Sequence, residues 1–309
     1  MTDTFQEIIK KISEELNLEF SLLSNDYIIA LSSNKTTKVI IGHKFDLNLH
    51  GTGLVFDDKY ALYELLKKQD IKIIEHNIVY GVNNKNSYAL SCNNMDYLKE
   101  LFEKYNGNVV LKINHGTCGV NVEHIESLSE LEEKFLKMAN KSNSLSLCPY
   151  YEIENEFRAI VLDNEIKLIY KKEKPVVVGD GVSTIKKLLT DFNPSYFKEI
   201  DNKELDAILK KGEYYTYDWK FNLSRGARLN EEVSDTDKHN ICEIVSSISK
   251  KLYLGFCSVD VIKTNGKYYV LEINSGVMMK NYIEQAKDGY NTAYNIYKEA
   301  VIKMFEEDK

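Results

Sequence analysis

The stretch CSVDVIKTNGKYYVLEIN, residues 257–274, is two apolar strands around Asn265-Gly266, and its register decides what one sheet face presents. A two-residue Asn-Gly turn would set Asp260 opposite Leu271, an acid beside an apolar face. A three-residue loop, Thr264-Asn265-Gly266 with glycine left-handed, shifts the pairing by one. Val259 then faces Leu271 and Val261 faces Tyr269, and because side chains alternate, a one-residue slip would move the whole set across the sheet. The opposite face gathers Ser258, Asp260, Val270, Glu272 and Asn274. The apolar match thus predicts the three-residue loop, with Asp260, Glu272 and Asn274 on one face.

Diagonal neighbours on a sheet face are roughly 7–8 Å apart, within reach of a bridging cation. Two carboxylates and an amide oxygen form a hard-oxygen set suited to Mg²⁺ or Mn²⁺ shared with phosphates. The same residues on a half-buried hairpin also make an ordinary solvated face. Evidence of phosphate chemistry elsewhere in the chain must decide between the two.

Working outward, VVLKINHGTCGV (109–120) is a strand with Lys112 followed by a loop with Gly116 and Gly119. Glycines three apart let backbone N–H groups approach an anion, and lysine adds a point charge. The spacing is not that of a P-loop, and a plain β-turn also accounts for it. In CPYYEIENEFRAIVL (148–162), Tyr150, Tyr151 and Ile153 can line a flat adenine slot and Glu156 can accept ribose hydroxyls, or the aromatics can be ordinary core. His115 is a candidate base, although a lone loop histidine is more often incidental.

Composition sharpens these readings. The 309 residues suggest about two domains. Hydrophobic residues at 43% and charged residues at 28% exclude disorder. A net charge of −7 supplies no uniform basic field for nucleic acid or an anionic membrane. Of 40 basic residues only three are arginine: Arg158, at the start of an apolar strand, and Arg225 and Arg228, both within NLSRGARL (222–229). Arginine's planar fork suits bidentate carboxylate or phosphate recognition in a way lysine does not. Five cysteines without a CxxC pair suggest neither a zinc site nor a disulfide framework. The N-terminal MTDTFQEIIKKISEEL reads as an amphipathic helix rather than a signal peptide, and no apolar run approaches the roughly 20 residues of a membrane span. The chain reads as soluble and cytoplasmic.

Periodicity predicts helices at 5–16, 57–69, 95–105, 128–141, 236–253 and 292–306, with another beginning near Ser183. Strands are predicted at 18–23, 27–32, 37–42, 71–76, 108–113, 145–151, 156–162 and 165–172, besides the hairpin. The Asn-rich stretch 83–94 marks a boundary. Mixed β-ribbons and helices without regular βαβ alternation indicate an α+β or mixed α/β class.

In order, DDKYALYELLKKQDIKI, VVLKINHGTCGV, YYEIENEFRAIVLDNEIKLIYKKEKPVVVGDGVSTIKKLL, NLSRGA and SVDVI…YYVLEINSG resemble the ATP-grasp superfamily, specifically its carboxylate–amine ligases of the cyanophycin synthetase and glutathione synthetase type. The match covers roughly residues 55–285. It implies an ATP-grasp fold with two α+β subdomains clamping ATP. The divisions expected are a reduced N-terminal domain (1–55), a connecting helix–strand region (56–92), a small lid subdomain with the adenine hinge (93–178) and a C-terminal subdomain with the metal site (179–309). The implied cofactors are ATP and Mg²⁺ (or Mn²⁺).

The resemblance also implies roles. Lys112, and on a looser alignment Lys59, would contact the nucleotide, with Gly116 and Gly119 closing over the triphosphate. Tyr150, Tyr151 and Ile153 would form the adenine hinge, with Glu156 at the ribose. Arg158, Lys172, Asn222 and Arg228 would meet the acyl phosphate and substrate. Asp260, Glu272 and Asn274 would hold the metal. The implied reaction joins a small-molecule acid and an amine, amino acids or peptides, through an acyl phosphate; a peptide substrate and a homodimer are compatible with it. A phosphotransferase that releases a phosphorylated product, or a non-catalytic nucleotide-binding module, would keep the fold. Two features depart from the pattern: the proline usual after Glu-Ile-Asn-Ser is missing from Ser275-Gly276-Val277-Met278, and only about 55 β-rich residues precede the match. No Mur-ligase-like extension follows it, unlike a full cyanophycin synthetase.

Overall fold

The computed structural model describes residues 4–81, 95–117, 119–192 and 203–306. The expected boundary at 83–94 lies outside them, as do Cys92 and Cys118. Helix α1 (Thr4–Glu15) buries Phe5, Ile8, Ile9 and Ile12 on one stripe. It is followed by an antiparallel meander of β1 (Glu19–Leu23), β2 (Ile28–Ser32), β3 (Thr37–Ile41) and β4 (Lys44–Phe45). Next come α2 (His50–Phe56) and α3 (Lys59–Lys68), the latter capped by the Asp58 carboxylate accepting from the Ala61 N–H at 2.8 Å. Residues 71–76 do not form the expected strand. They make one parallel bridge, Ile73 to Val270, and the strand proper is β5 (Asn77–Tyr80).

A second sheet, of order β5-β8-β6-β7, uses β6 (Val109–Ile113), β7 (Val122–Ile125) and β8 (Ser144–Pro149). Helices α4 (Met95–Lys104) and α5 (Leu128–Ala139) pack on it through Leu98, Leu101, Leu131 and Phe135. Strand β7 was not expected, because three half-buried residues followed by the buried Ile125 carry little periodicity.

The third sheet has the order β13-β10-β9-β14-β15, from β9 (Asn155–Leu162), β10 (Glu165–Glu173), β13 (Arg228–Asn230), β14 (Phe256–Thr264) and β15 (Lys267–Asn274). Strands β9 and β10, grouped at the sequence level with residues 93–178, hydrogen-bond within this sheet, so the change of sheet falls at 150–154. Between β10 and β13 lie β11 (Val176–Val178), α6 (Ile185–Phe192) and β12 (Tyr214–Thr216), with a small core of their own. Helix α7 (Asp235–Ser249) covers one face, where Ile241, Val245 and Ile248 meet Phe157, Ala159, Val259 and Val261. After β15 come α8 (Lys280–Gln285) and α9 (Gly289–Met304). No helix among the described residues is long and apolar enough to cross a membrane.

The hairpin corrects the expected register. Thr264 pairs with Lys267 across a two-residue turn, with Asn265 and Gly266 at φ of 48° and 69°. That is the left-handed pair an Asn-Gly hairpin turn favours. Pairing continues to Val261–Val270, then slips so that Asp260 faces Glu272, Val259 faces Ile273 and Ser258 faces Asn274. The extra residue is Leu271. A bulge therefore keeps Asp260 away from an apolar partner, which is the work expected of a longer loop.

The N-terminal meander shares one core with the rest of the molecule. Phe45 meets Phe256 edge-on at 4.9 Å and stacks with Tyr297 at 5.9 Å, while Ile8, Ile9 and Val301 belong to the same buried cluster. Asn48 fastens the join: its amide donates to the Phe256 carbonyl at 2.6 Å and the Ser275 carbonyl at 3.2 Å, and its oxygen accepts from the Phe256 N–H. A Cβ on Gly255 would lie 2.1 Å from the Leu47 carbonyl oxygen. Gly255→Ala should therefore cost about 1–3 kcal/mol in urea unfolding. An unchanged midpoint would show that the meander is not seated this closely.

Candidate active site

The polar face of the third sheet opens onto a cavity of about 1000 Å³. Its walls also include β6, the loop after it, residues 148–153, residues 219–224 and the turn between β3 and β4.

Two cross-strand neighbours build the floor. Asp260 is directly opposite Arg158, and Lys172 directly opposite Glu156. Arg158 donates from Nε to Asp260 Oδ1 at 2.7 Å and from Nη2 to Oδ2 at 2.6 Å. Lys172 Nζ donates to Asp260 Oδ2 at 2.9 Å and to Glu156 Oε1 at 2.6 Å. Asp260, Lys172 and Glu156 are buried. Burial opposes the Asp260 charge, but Arg158 and Lys172 outweigh it and hold the carboxyl at about 2. Burial raises the Glu156 carboxyl. Lys172 is raised because Asp260 and Glu156 overcome both burial and the repulsion of Arg158.

Glu272 and Asn274 share the cavity face, the Asn274 amide donating to Glu272 Oε1 at 3.1 Å. Their oxygens and their access to the cavity suit a hard cation. Asp260 fits less fully, since three of a carboxylate's roughly four acceptor positions are already taken.

On the opposite wall, Lys59 and Lys112 are 8% and 7% exposed. Lys59 Nζ donates to the Gly116 carbonyl at 2.6 Å and lies 3.9 Å from Glu272 Oε2. Burial lowers its pKa, Glu272 opposes the shift and Lys112 adds to it. Lys112 makes no ion pair or side-chain hydrogen bond among the described residues, and it lines the cavity. Gly119, at φ 65°, faces Asn222: a Cβ there would lie 3.2 Å from the Asn222 amide nitrogen. Asn114 joins this loop to α3, donating to Asp58 and accepting from the Tyr60 N–H.

All the expected site residues except one line this cavity: Lys59, Lys112, Gly116, Gly119, Tyr150, Tyr151, Ile153, Glu156, Arg158, Lys172, Asn222, Asp260, Glu272 and Asn274. The exception is Arg228. It is exposed on β13 opposite Glu173, and because side chains alternate, it shares the face that Lys172 leaves. Arg225 turns to Asp218 at 3.5 Å. Of the three arginines, Arg158 alone reaches the cavity. Glu156, expected at a ribose, spends one oxygen on Lys172. The Tyr150 ring stacks on His124 at 3.9 Å, with Trp219 edge-on at 5.7 Å, and the same cavity is lined by the aliphatic side chains Ile74, Val110, Ile153, Ile262 and Leu271. His124 and Trp219 were missed at the sequence level; the one signal for either was that the chain has a single tryptophan.

No protein-family model matches the sequence. The curated glutathione biosynthesis bifunctional protein GshAB of Clostridium perfringens is 20% identical over 293 residues, covering 86% of this chain and 36% of that protein. A bifunctional glutathione synthetase structure from Pasteurella multocida superposes with a TM-score of 0.55 at 17% identity, covering 98% of this chain and 43% of that one. The D-alanine–D-alanine ligase of Bacillus anthracis gives a TM-score of 0.52 at 14% identity, covering 82% and 67%. This chain has the ATP-grasp fold. It spans less than half the length of the two glutathione-pathway proteins it matches.

The floor is charge-balanced only while Asp260 is ionised. Asp260→Asn would leave the buried Lys172 and the half-buried Arg158 with Glu156 as their remaining acid. It should cost about 3–5 kcal/mol of unfolding free energy, read from urea titration. A loss below about 1 kcal/mol would mean that the floor carbons, not the ion pairs, hold these strands together.

Proposed function

We propose that this chain is an ATP-dependent carboxylate–amine ligase that forms an amide or peptide bond and releases ADP and phosphate. The observation that carries the reading is Lys112, a 7% exposed lysine that lines the cavity with no ion pair or side-chain hydrogen bond among the described residues, beside Lys59, whose own charge is disfavoured by burial. An ammonium held at the wall of a cavity, with little water around its stem, gains from an anion arriving to meet it. The Gly116–Gly119 loop brings backbone close to the same place, and the apolar side chains of the cavity lining, Ile74, Val110, Ile153 and Leu271 among them, suit a base. A nucleotide triphosphate matches all three.

The chemistry then needs positioning and charge neutralisation rather than a protein nucleophile. A carboxylate oxygen attacks the γ-phosphorus, ADP leaves, and the acyl phosphate forms. An amine nitrogen attacks the acyl carbon, loses a proton, and expels phosphate that keeps one former carboxylate oxygen. Lys112 and Lys59 offset charge on the phosphates, and Arg158 and Lys172 fix the floor on which the acyl group lies. Asn222 meets the glycine loop from the other side. Mg²⁺ or Mn²⁺, held by Glu272, Asn274 and the remaining lone pair of Asp260, would supply further neutralisation of phosphate oxygens.

Lys112→Met separates this reading from a structural one. Loss of a cation aimed at developing charge should lower kcat/KM for ADP release with an acid–amine pair by about 100- to 1000-fold. The same substitution removes a charge that has no ion pair among the described residues, so the melting temperature should stay level or rise. Added hydroxylamine should give a hydroxamate in the wild type. A stable phosphoester instead would point to a phosphotransferase, and full activity in Lys112→Met would remove the basis of the proposal.

A further inference from the structure

Beyond the lysines, the cavity continues onto a wall that the proposed chemistry does not use. Tyr27, Ile41, Leu54 and Met278 line it, and they are 62%, 41%, 58% and 39% exposed. Large apolar side chains left uncovered together mark a binding surface more often than chance scatter. These four come from the meander, α2 and the loop after β15.

The wall is braced. Val277 N–H donates to the His43 carbonyl at 3.0 Å, and Gly276 is seated against Lys44, where a Cβ would come within 3.3 Å of its side chain. Gly42, at φ 60°, lies beneath the Tyr27 ring. The segment that lacks the expected proline is thus held by the β3–β4 turn. The charges at this end are already committed: Asp57 accepts from Ser275 N–H at 3.0 Å and Oγ at 2.6 Å, and also from Lys44. An ionic side chain arriving here would find its counter-charges paired, whereas an apolar one would cover exposed carbon.

We propose that this wall is the side-chain subsite for one of the two substrates and that it selects a bulky apolar side chain, on a free amino acid or a short peptide. A small molecule is the occupant because the wall is continuous with the cavity holding Lys112 and Asp260. The inference deepens the ligase reading and rests on it for the identity of the ligand as a substrate.

The test is calorimetric titration of the full chain, loaded with a non-hydrolysable ATP analogue and Mg²⁺, with leucyl-leucine and glutamyl-glutamate. Leucyl-leucine should bind at least about tenfold more tightly, the discrimination a small difference in apolar contact supplies. Leu54→Ala with Met278→Ala should bring the two dipeptides close to parity, and Met278→Leu should retain the preference, with melting curves checking that each variant folds. Equal or reversed affinities in the wild type, no binding of either dipeptide, or a preference that survives the double substitution would overturn the subsite. ADP release measured in parallel separates the two ideas. Apolar-selective binding without release with any amine would count against the ligase chemistry alone. Release from glutamyl substrates without apolar preference would count against the subsite alone.

Discussion

Arg158 and Lys172 reach Asp260 from two neighbouring strands, and the site depends on that meeting. Strand β9 lies between β10 and β14, so its alternate residues have a partner on either side. Register then converts sequence order into a charge pattern: Glu156 against Lys172 on one side, Arg158 against Asp260 on the other. Two cations and two acids in a largely buried floor are tolerable only in near balance, since an isolated buried charge costs several kcal/mol. The apolar residues between them, Phe157 and Ala159, face α7 and lock the strands from behind. Any slip would place charge in that core, so the packing that makes the sheet stable also fixes the polar face.

The two sides of the cavity are electrostatically different, and the difference suits their proposed tasks. The floor is satisfied within itself. The opposite wall is not, because Lys112 is buried without a counter-ion among the described residues. A site in which one face is balanced and the other poised for an anion gains affinity from the ligand rather than from folding. It also explains why so few arginines are enough. Arg158 makes a bidentate contact that a lysine could not reproduce, whereas the phosphate-side positions need only point charges.

Much of this was legible from residues alone, for identifiable reasons. Long amphipathic helices and the strands at 155–162 and 165–173 follow from strong periodicity. The grouping of Asp260, Glu272 and Asn274 was legible although the register was not. A three-residue loop and a two-residue turn with a bulge at Leu271 gather the same oxygens, and pattern matching cannot tell them apart. Arg228 misled because proximity to Arg225 in sequence says nothing about which face of an edge strand it takes. His124 stacking on Tyr150, with Trp219 against both, joins residues 26, 69 and 95 positions apart in sequence, beyond any local signal. The meander's share of the cavity was hidden for the same reason: Tyr27 and Ile41 reach it only because Asn48 and Gly255 fasten that sheet to β14.

The claim that this geometry serves acyl-phosphate chemistry is tested most directly by following one oxygen. With an acid substrate carrying ¹⁸O in its carboxylate and an amine it accepts, the phosphate released in a single turnover should contain one labelled oxygen, detected by mass spectrometry or by the ³¹P shift. Phosphate released without label, while amide forms, would contradict the account.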